Sequence, residues 1–273
     1  MKPTSSNRFR CARTLPLATL MISFALAASA GAAPLYWDTN GATAGSADLA
    51  AGTNVWGTDN NWSTDSTGSS ATGAYVAGSD VFVSAGTNAT GANIIRISGP
   101  QTANSLTFEE GTITLSAVTA LSSDTLTLGA GGITMANGLQ GNATIGGSLG
   151  NIVMSASQVW TNNTVTDPAA LPVATTARTL LVGNGAAGSM LSGSATTGNT
   201  QTLTITGPTT ALGTAATTLS TVLSDGANGG TLDLVKSGSA QLILSGGLAN
   251  TYTGSTTISA GTLTLNKTTA GTN

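Results

Sequence analysis

Leu106-Thr107-Phe108-Glu109-Glu110-Gly111-Thr112-Ile113-Thr114-Leu115 and Leu126-Thr127-Leu128-Gly129-Ala130-Gly131-Gly132-Ile133-Thr134-Met135 align with five identities at an offset of 20. In each segment the apolar residues fall on every second position, before and after a glycine that permits a turn. That period puts Leu106, Phe108, Ile113, Leu115, Leu126, Leu128, Ile133 and Met135 on one face and Thr107, Thr114 and Thr127 on the other. Each segment therefore reads as two short strands of an internal repeat. The same Thr-Leu-x-apolar kernel returns at Thr202–Ile205, Thr231–Leu234 and Thr262–Leu265.

The rest of the chain agrees with an all-β reading. No stretch carries a capped 3.6-residue period, and 49 Thr and 36 Gly in 273 residues disfavour helices. Charged residues make up only 7% and aromatics 4%, whereas the hydrophobic fraction of 40% is enough to collapse a core. Two architectures compete: a β-sandwich and a right-handed parallel β-helix, or solenoid. In a stack of strands about 4.8 Å apart, a charge repeated at one position would face its own copy, whereas Thr, Ser and Asn can hydrogen-bond there. Charge depletion favours the β-helix. Residues 162–188, with Pro168 and Pro172 among small residues, interrupt the repeat and read as a projecting loop.

His is absent, and Cys11 is the one cysteine. Ser-His-Asp and Cys-His nucleophilic sites are excluded, as are His-based zinc sites and an intramolecular disulfide. Residues 1–33 read as a signal peptide of the Sec type: a start basic at Lys2, Arg8, Arg10 and Arg13, an apolar run from Leu15 to Ala28, and small residues around Ala32 and Ala33. The run is too short to span a bilayer, and no later segment reaches that length. Beyond residue 33 stand eleven acids and four scattered bases, Arg96, Arg178, Lys236 and Lys267. Nucleic acid is an excluded partner on that balance.

Residues 34–80 stand apart as an N-terminal cap region, holding Trp37, Trp56 and Trp62 together with Asp38, Asp48, Asp59 and Asp65. Clustered indoles build a local core. The alternative is a carbohydrate platform made by the same three tryptophans, with polysaccharide as the ligand. Residues 81–273 are the strand-repeat region, whose interior is expected to include Leu242, Leu244, Ile258, Leu263 and Leu265 as well.

The closing stretch, Leu234-Val235-Lys236-Ser237-Gly238, Leu242-Ile243-Leu244-Ser245-Gly246, Asn250-Thr251-Tyr252-Thr253-Gly254-Ser255-Thr256-Thr257-Ile258 and Ala260-Gly261-Thr262-Leu263, resembles the autotransporter-associated β-strand repeat, also called the passenger-associated transport repeat. Ala240 stands where that pattern has Gly, and Leu248-Ala249 adds a small insertion. The resemblance implies an exported, non-catalytic passenger segment of a bacterial surface or extracellular protein, periplasmic in transit. An adhesive role toward a host surface, extracellular matrix or polysaccharide is one expectation. The outer-membrane barrel of such proteins is expected outside this chain, which reads as a fragment or truncated product.

The chief rival is a β-helical polysaccharide-degrading enzyme. Glu109-Glu110 is the sole adjacent acidic pair, and consecutive strand residues face opposite ways, so the pair is expected to be a solvated strand end and no catalytic residue is assigned. No cofactor or metal is assigned either. Gly229-Gly230-Thr231-Leu232-Asp233 lacks a glycine that the calcium nonapeptide needs, and Asp59, Asn60, Asn61 and Asp65 lack EF-hand spacing. Gly129–Gly132 has no following Lys or helix and reads as a turn.

Overall fold

The computed structural model describes residues 32–47, 54–119, 123–146, 148–164, 178–183, 189–208 and 215–268. Residues 1–31 of the expected signal peptide lie outside them. The strands are β1 (Pro34–Trp37), β2 (Val55–Trp56), β3 (Trp62–Ser63), β4 (Asp80–Val83), β5 (Ala92–Ile97), β6 (Pro100–Phe108) and β7 (Thr112–Ala117). Next come β8 (Thr125–Met135), β9 (Ala143–Ile145), β10 (Asn151–Met154), β11 (Gln158–Asn162), β12 (Thr179–Val182), β13 (Met190–Ser192) and β14 (Thr200–Thr206). β15 (Ala216–Leu219), β16 (Val222–Ser224), β17 (Thr231–Lys236), β18 (Gln241–Gly246), β19 (Thr256–Ile258) and β20 (Thr262–Lys267) complete the series.

These strands make two sheets, and no helix occurs among the described residues. One sheet runs β2-β5-β7-β9-β12-β15-β18-β20, every neighbour parallel. The other runs β3-β1-β4-β6-β8-β11-β14-β17-β19, with a branch β10-β13-β16 leaving from β8. Only its first pair, β1 with β3, is antiparallel. A sandwich built on antiparallel pairs does not fit this pairing. Among the described residues neither sheet closes into a barrel.

The branch follows from the length of β8. Its first part, Thr125–Leu128, pairs with β10, and its last part, Ile133–Met135, pairs with β11. Between them Gly132 takes φ 65°, where a Cβ would run into the Val159 carbonyl, so glycine is required at that bend.

Register stacks like on like. One inward column reads Leu35, Val81, Leu106, Ile133, Trp160, Ile205, Lys236, Ile258. In the second sheet Ile95, Leu115, Ile145, Val182, Leu219, Leu244 and Leu265 line up the same way. A third column, on the branch, reads Leu126, Ile152, Leu191, Leu223. Apart from Lys236, Ile258 and Leu265, these side chains merge in one apolar core that extends from Leu35 to Leu244. Outward positions pair Thr with Thr, as at Thr107 and Thr134 or Thr114 and Thr144. Thr200 and Thr231 share a 2.8 Å hydroxyl hydrogen bond across strands.

Several expectations are corrected. The partner of Leu106 is Ile133, not Leu126, so the sequence alignment at an offset of 20 is not the register there. The second unit is one continuous strand, β8. Within 162–188, Thr179–Val182 forms β12 between β9 and β15, because Leu180 and Val182 alternate into the core. Residues 165–177 and 184–188 of that stretch lie outside the described set. Ile258 and Leu265 are 54% and 53% exposed, since β19 and β20 end their sheets and have a neighbour on one side only. Leu263 is half-buried for the same reason.

The face assignment predicts unequal costs at adjacent positions. Leu126 is fully buried and Thr127 half-buried. Leu126→Ala is expected to cost about 2–5 kcal/mol and Thr127→Ala under about 1, read as urea midpoints. Equal shifts would show that this strand faces the other way.

Candidate functional site

The three tryptophans expected at the N-terminal end come together, but not as a platform. Pairing of β1 with β3 sets Trp37 opposite Trp62, and β2 brings Trp56 beside them from the edge of the other sheet. The Trp37 and Trp62 rings meet edge to face at 4.8 Å, and Trp56 meets Trp62 at 5.2 Å. Tyr75, which the sequence did not single out, closes the group at 5.0 Å from Trp56 and 4.8 Å from Trp62. Its hydroxyl donates to the Thr102 carbonyl at 2.7 Å, and burial pushes the phenol pKa up. Trp37, Trp56 and Trp62 are 1%, 0% and 2% exposed. A sugar stacks on an open ring face, and these rings have none, so the platform assignment is corrected to an aromatic core.

Asp59 and Asp65 are occupied in turns. Asp59 accepts from Val55 N, and Asp65 accepts from Thr67, Ser69 and Ser70. Those bonds hold the Asp65 carboxyl below its usual range. Asp124 accepts from Gly99 N and Thr119 N at 2.7 and 2.9 Å, tying two corners together.

Glu109 and Glu110 depart from expectation. They follow the end of β6 at a corner, where strand alternation no longer applies, and both line one open cleft with Tyr36, Ser66, Thr87 and Gln140. Glu110 is buried and accepts from Ser84 Oγ at 2.5 Å. Tyr36 stacks on Phe82 beside the cleft, at 4.8 Å. Burial first, and the neighbouring Glu110 second, raise the Glu109 pKa from 4.5 to about 7. A carboxyl with that pKa can donate or accept a proton near neutrality. The folded chain therefore binds this proton more tightly than the unfolded chain. Its stabilising contribution is present below about pH 4.5 and is lost as pH rises through about 7. Glu109→Gln is expected to flatten the dependence of the thermal midpoint on pH across that window. A wild-type slope retained in the variant would assign the dependence to another group.

At the opposite end, the closing stretch supplies β17 to β20. Lys236 takes an inward position between Ile205 and Ile258 and is fully buried. Its ammonium donates to the carbonyls of Ser237 at 2.5 Å, Gly238 at 2.7 Å and Ala260 at 3.3 Å, and burial lowers its pKa. Asn250 Oδ1 accepts from Leu223 N at 3.1 Å, which carries the branch column onward where no further strand lies. The Leu223 carbonyl accepts from Thr251 N and Tyr252 N. Asp225 accepts from Leu232 N and from Thr253 N and Oγ1, and Asp233 accepts from Ser255 N. Although burial acts to raise it, these bonds leave the Asp225 pKa below its usual value. Polar side chains here join successive strands.

No curated protein and no solved structure matches the chain. The family model described as Passenger-associated-transport-repeat matches residues 234–265. That span begins within β17 and ends within β20, so the match falls on the ordered strand pairs just described. The chain carries a passenger-associated transport repeat, with Lys236, Asn250 and Tyr252 as its internal ties.

Proposed function

We propose that the strands form a right-handed parallel β-helix and that the chain is a non-catalytic structural segment of an exported, autotransporter-like surface or extracellular protein. The observation that carries this reading is the repeat match at 234–265, laid over strands that add in register to both sheets. Successive parallel pairings in both sheets support the helical path, and parallel crossovers are right-handed in nearly all sheets. The Thr-lined outer faces offer extended, uncharged surface for adhesive contact with a host surface, matrix or polysaccharide. No helix among the described residues is long and apolar enough to cross a membrane.

Expression of the full chain in a Gram-negative host tests the reading. The expected product lies outside the cytoplasm, has an intact mass consistent with cleavage near Ala32 or Ala33, and shows no turnover of polyuronides. A cytoplasmic product that retains Met1 would overturn it. A second reading, acid-dependent action on a polysaccharide, is favoured by the joint placement of Glu109 and Glu110 in one cleft. It requires turnover that Glu109→Gln abolishes.

A further inference from the structure

The loop between β1 and the aromatic core has a feature that packing does not use. Asp38 is 0% exposed and Ser46 is 1% exposed. Asp38 Oδ1 accepts from Asn40 N at 3.0 Å, while Asp38 Oδ2, Asn40 Oδ1 and Ser46 Oγ are buried with no hydrogen-bond partner. A buried carboxylate oxygen left open in this way is costly, and two of the three atoms can only accept. The loop is drawn shut so that these residues approach one another. Thr39, which lies between Asp38 and Asn40, donates to the Ser46 carbonyl from both N and Oγ1, at 3.3 and 2.8 Å. From outside, Asn88 Oδ1 accepts from Ser46 N and Ala47 N at 2.9 and 3.1 Å. Ala47 takes φ 56°, the one non-glycine residue at positive φ among the described residues.

We propose that the 38–46 loop binds a hard divalent cation of the calcium class, with Asp38 Oδ2 as the anionic ligand and Asn40 Oδ1 and Ser46 Oγ as neutral oxygen ligands. Oxygen donors of this kind select calcium over softer metals. Water and main-chain carbonyls complete a coordination number of about six to eight. With a single carboxylate in the set, half-saturation falls at about 10⁻⁴ to 10⁻³ M. The site is independent of the proposed export role, because it rests only on the loop.

The test uses the purified chain after chelator treatment, with calcium and terbium as probes. Calcium is expected to raise the thermal midpoint saturably, and terbium to give emission sensitised by Trp37, the residue next to Asp38. Asp38→Asn, which keeps side-chain volume, is expected to weaken both responses roughly tenfold or more. Ser46→Ala weakens them too and serves as the readout if Asp38→Asn does not fold. Asp65→Asn, whose carboxylate is taken up by Thr67, Ser69 and Ser70, is expected to keep both. A wild-type chain indifferent to both ions would overturn the proposal, leaving buried water as the occupant. So would undiminished responses in folded Asp38→Asn.

Discussion

Lys236→Ala is expected to destabilise the chain by about 2–5 kcal/mol, the range for truncating a long buried side chain to alanine. Two losses combine. The aliphatic stem fills an inward position between Ile205 and Ile258, and its removal opens a cavity in that column. The ammonium also donates to the carbonyls of Ser237, Gly238 and Ala260, and those charge-assisted bonds are lost. Lys236→Met separates the two, because it restores the stem while removing the donors. It is expected to recover part of the loss, leaving about 1–3 kcal/mol. Urea midpoints for the three proteins check the order wild type, Met, Ala. An unchanged midpoint in Lys236→Ala would show that the ammonium is not held in this position.

Trp62→Ala is the other large effect, about 3–5 kcal/mol. Trp62 is the ring that touches all the others, Trp37, Trp56 and Tyr75, and such edge contacts add about 0.5–1.5 kcal/mol each beyond burial. Removal of Trp62 leaves Trp37 and Trp56 facing a void. Trp62→Phe is expected to cost less, since it keeps one ring in the gap. Calorimetric midpoints and the red shift of the remaining indole emission report both variants. Retention of the wild-type emission maximum in Trp62→Ala would mean that the rings do not pack on one another.

The sequence alone revealed which face each strand buries but not which strand it meets. Leu106, Phe108, Leu126, Leu128, Ile133 and Met135 are all buried as their alternation requires. Alternation is local, whereas a parallel partner lies on a separate segment further along the chain. Nothing in the text of the chain links Leu106 to Ile133. The same limit hid β12, whose four residues carry too short a pattern to outweigh the prolines before it. The strand rule puts Glu109 and Glu110 on opposite faces, but it fails one residue past Phe108, where the chain turns its corner. Clustering of Trp37, Trp56 and Trp62 was plain from their spacing, but ring exposure depends on Tyr75 and on the β1–β3 pair, and neither is written in the aromatic spacing. The open oxygens of Asp38, Asn40 and Ser46 were equally invisible, because an Asp-x-Asn sequence looks the same whether turn amides satisfy its oxygens or not.

Every parallel partner in both sheets arrives within a short stretch of later chain. The widest step, from Tyr36 to Phe82, spans 46 residues, and Ile113 needs only the 20 residues back to Asn93. No strand has to wait for a remote terminus before it can pair. Loop closure therefore stays modest in entropy at each addition, and the chain can fold in the order in which it emerges. A protein threaded through a narrow pore gains from this directly: each newly paired strand is too bulky to slip back. If the chain is exported as proposed, folding on the far side would act as a ratchet, and movement across the membrane would become one-way without a motor at the exit.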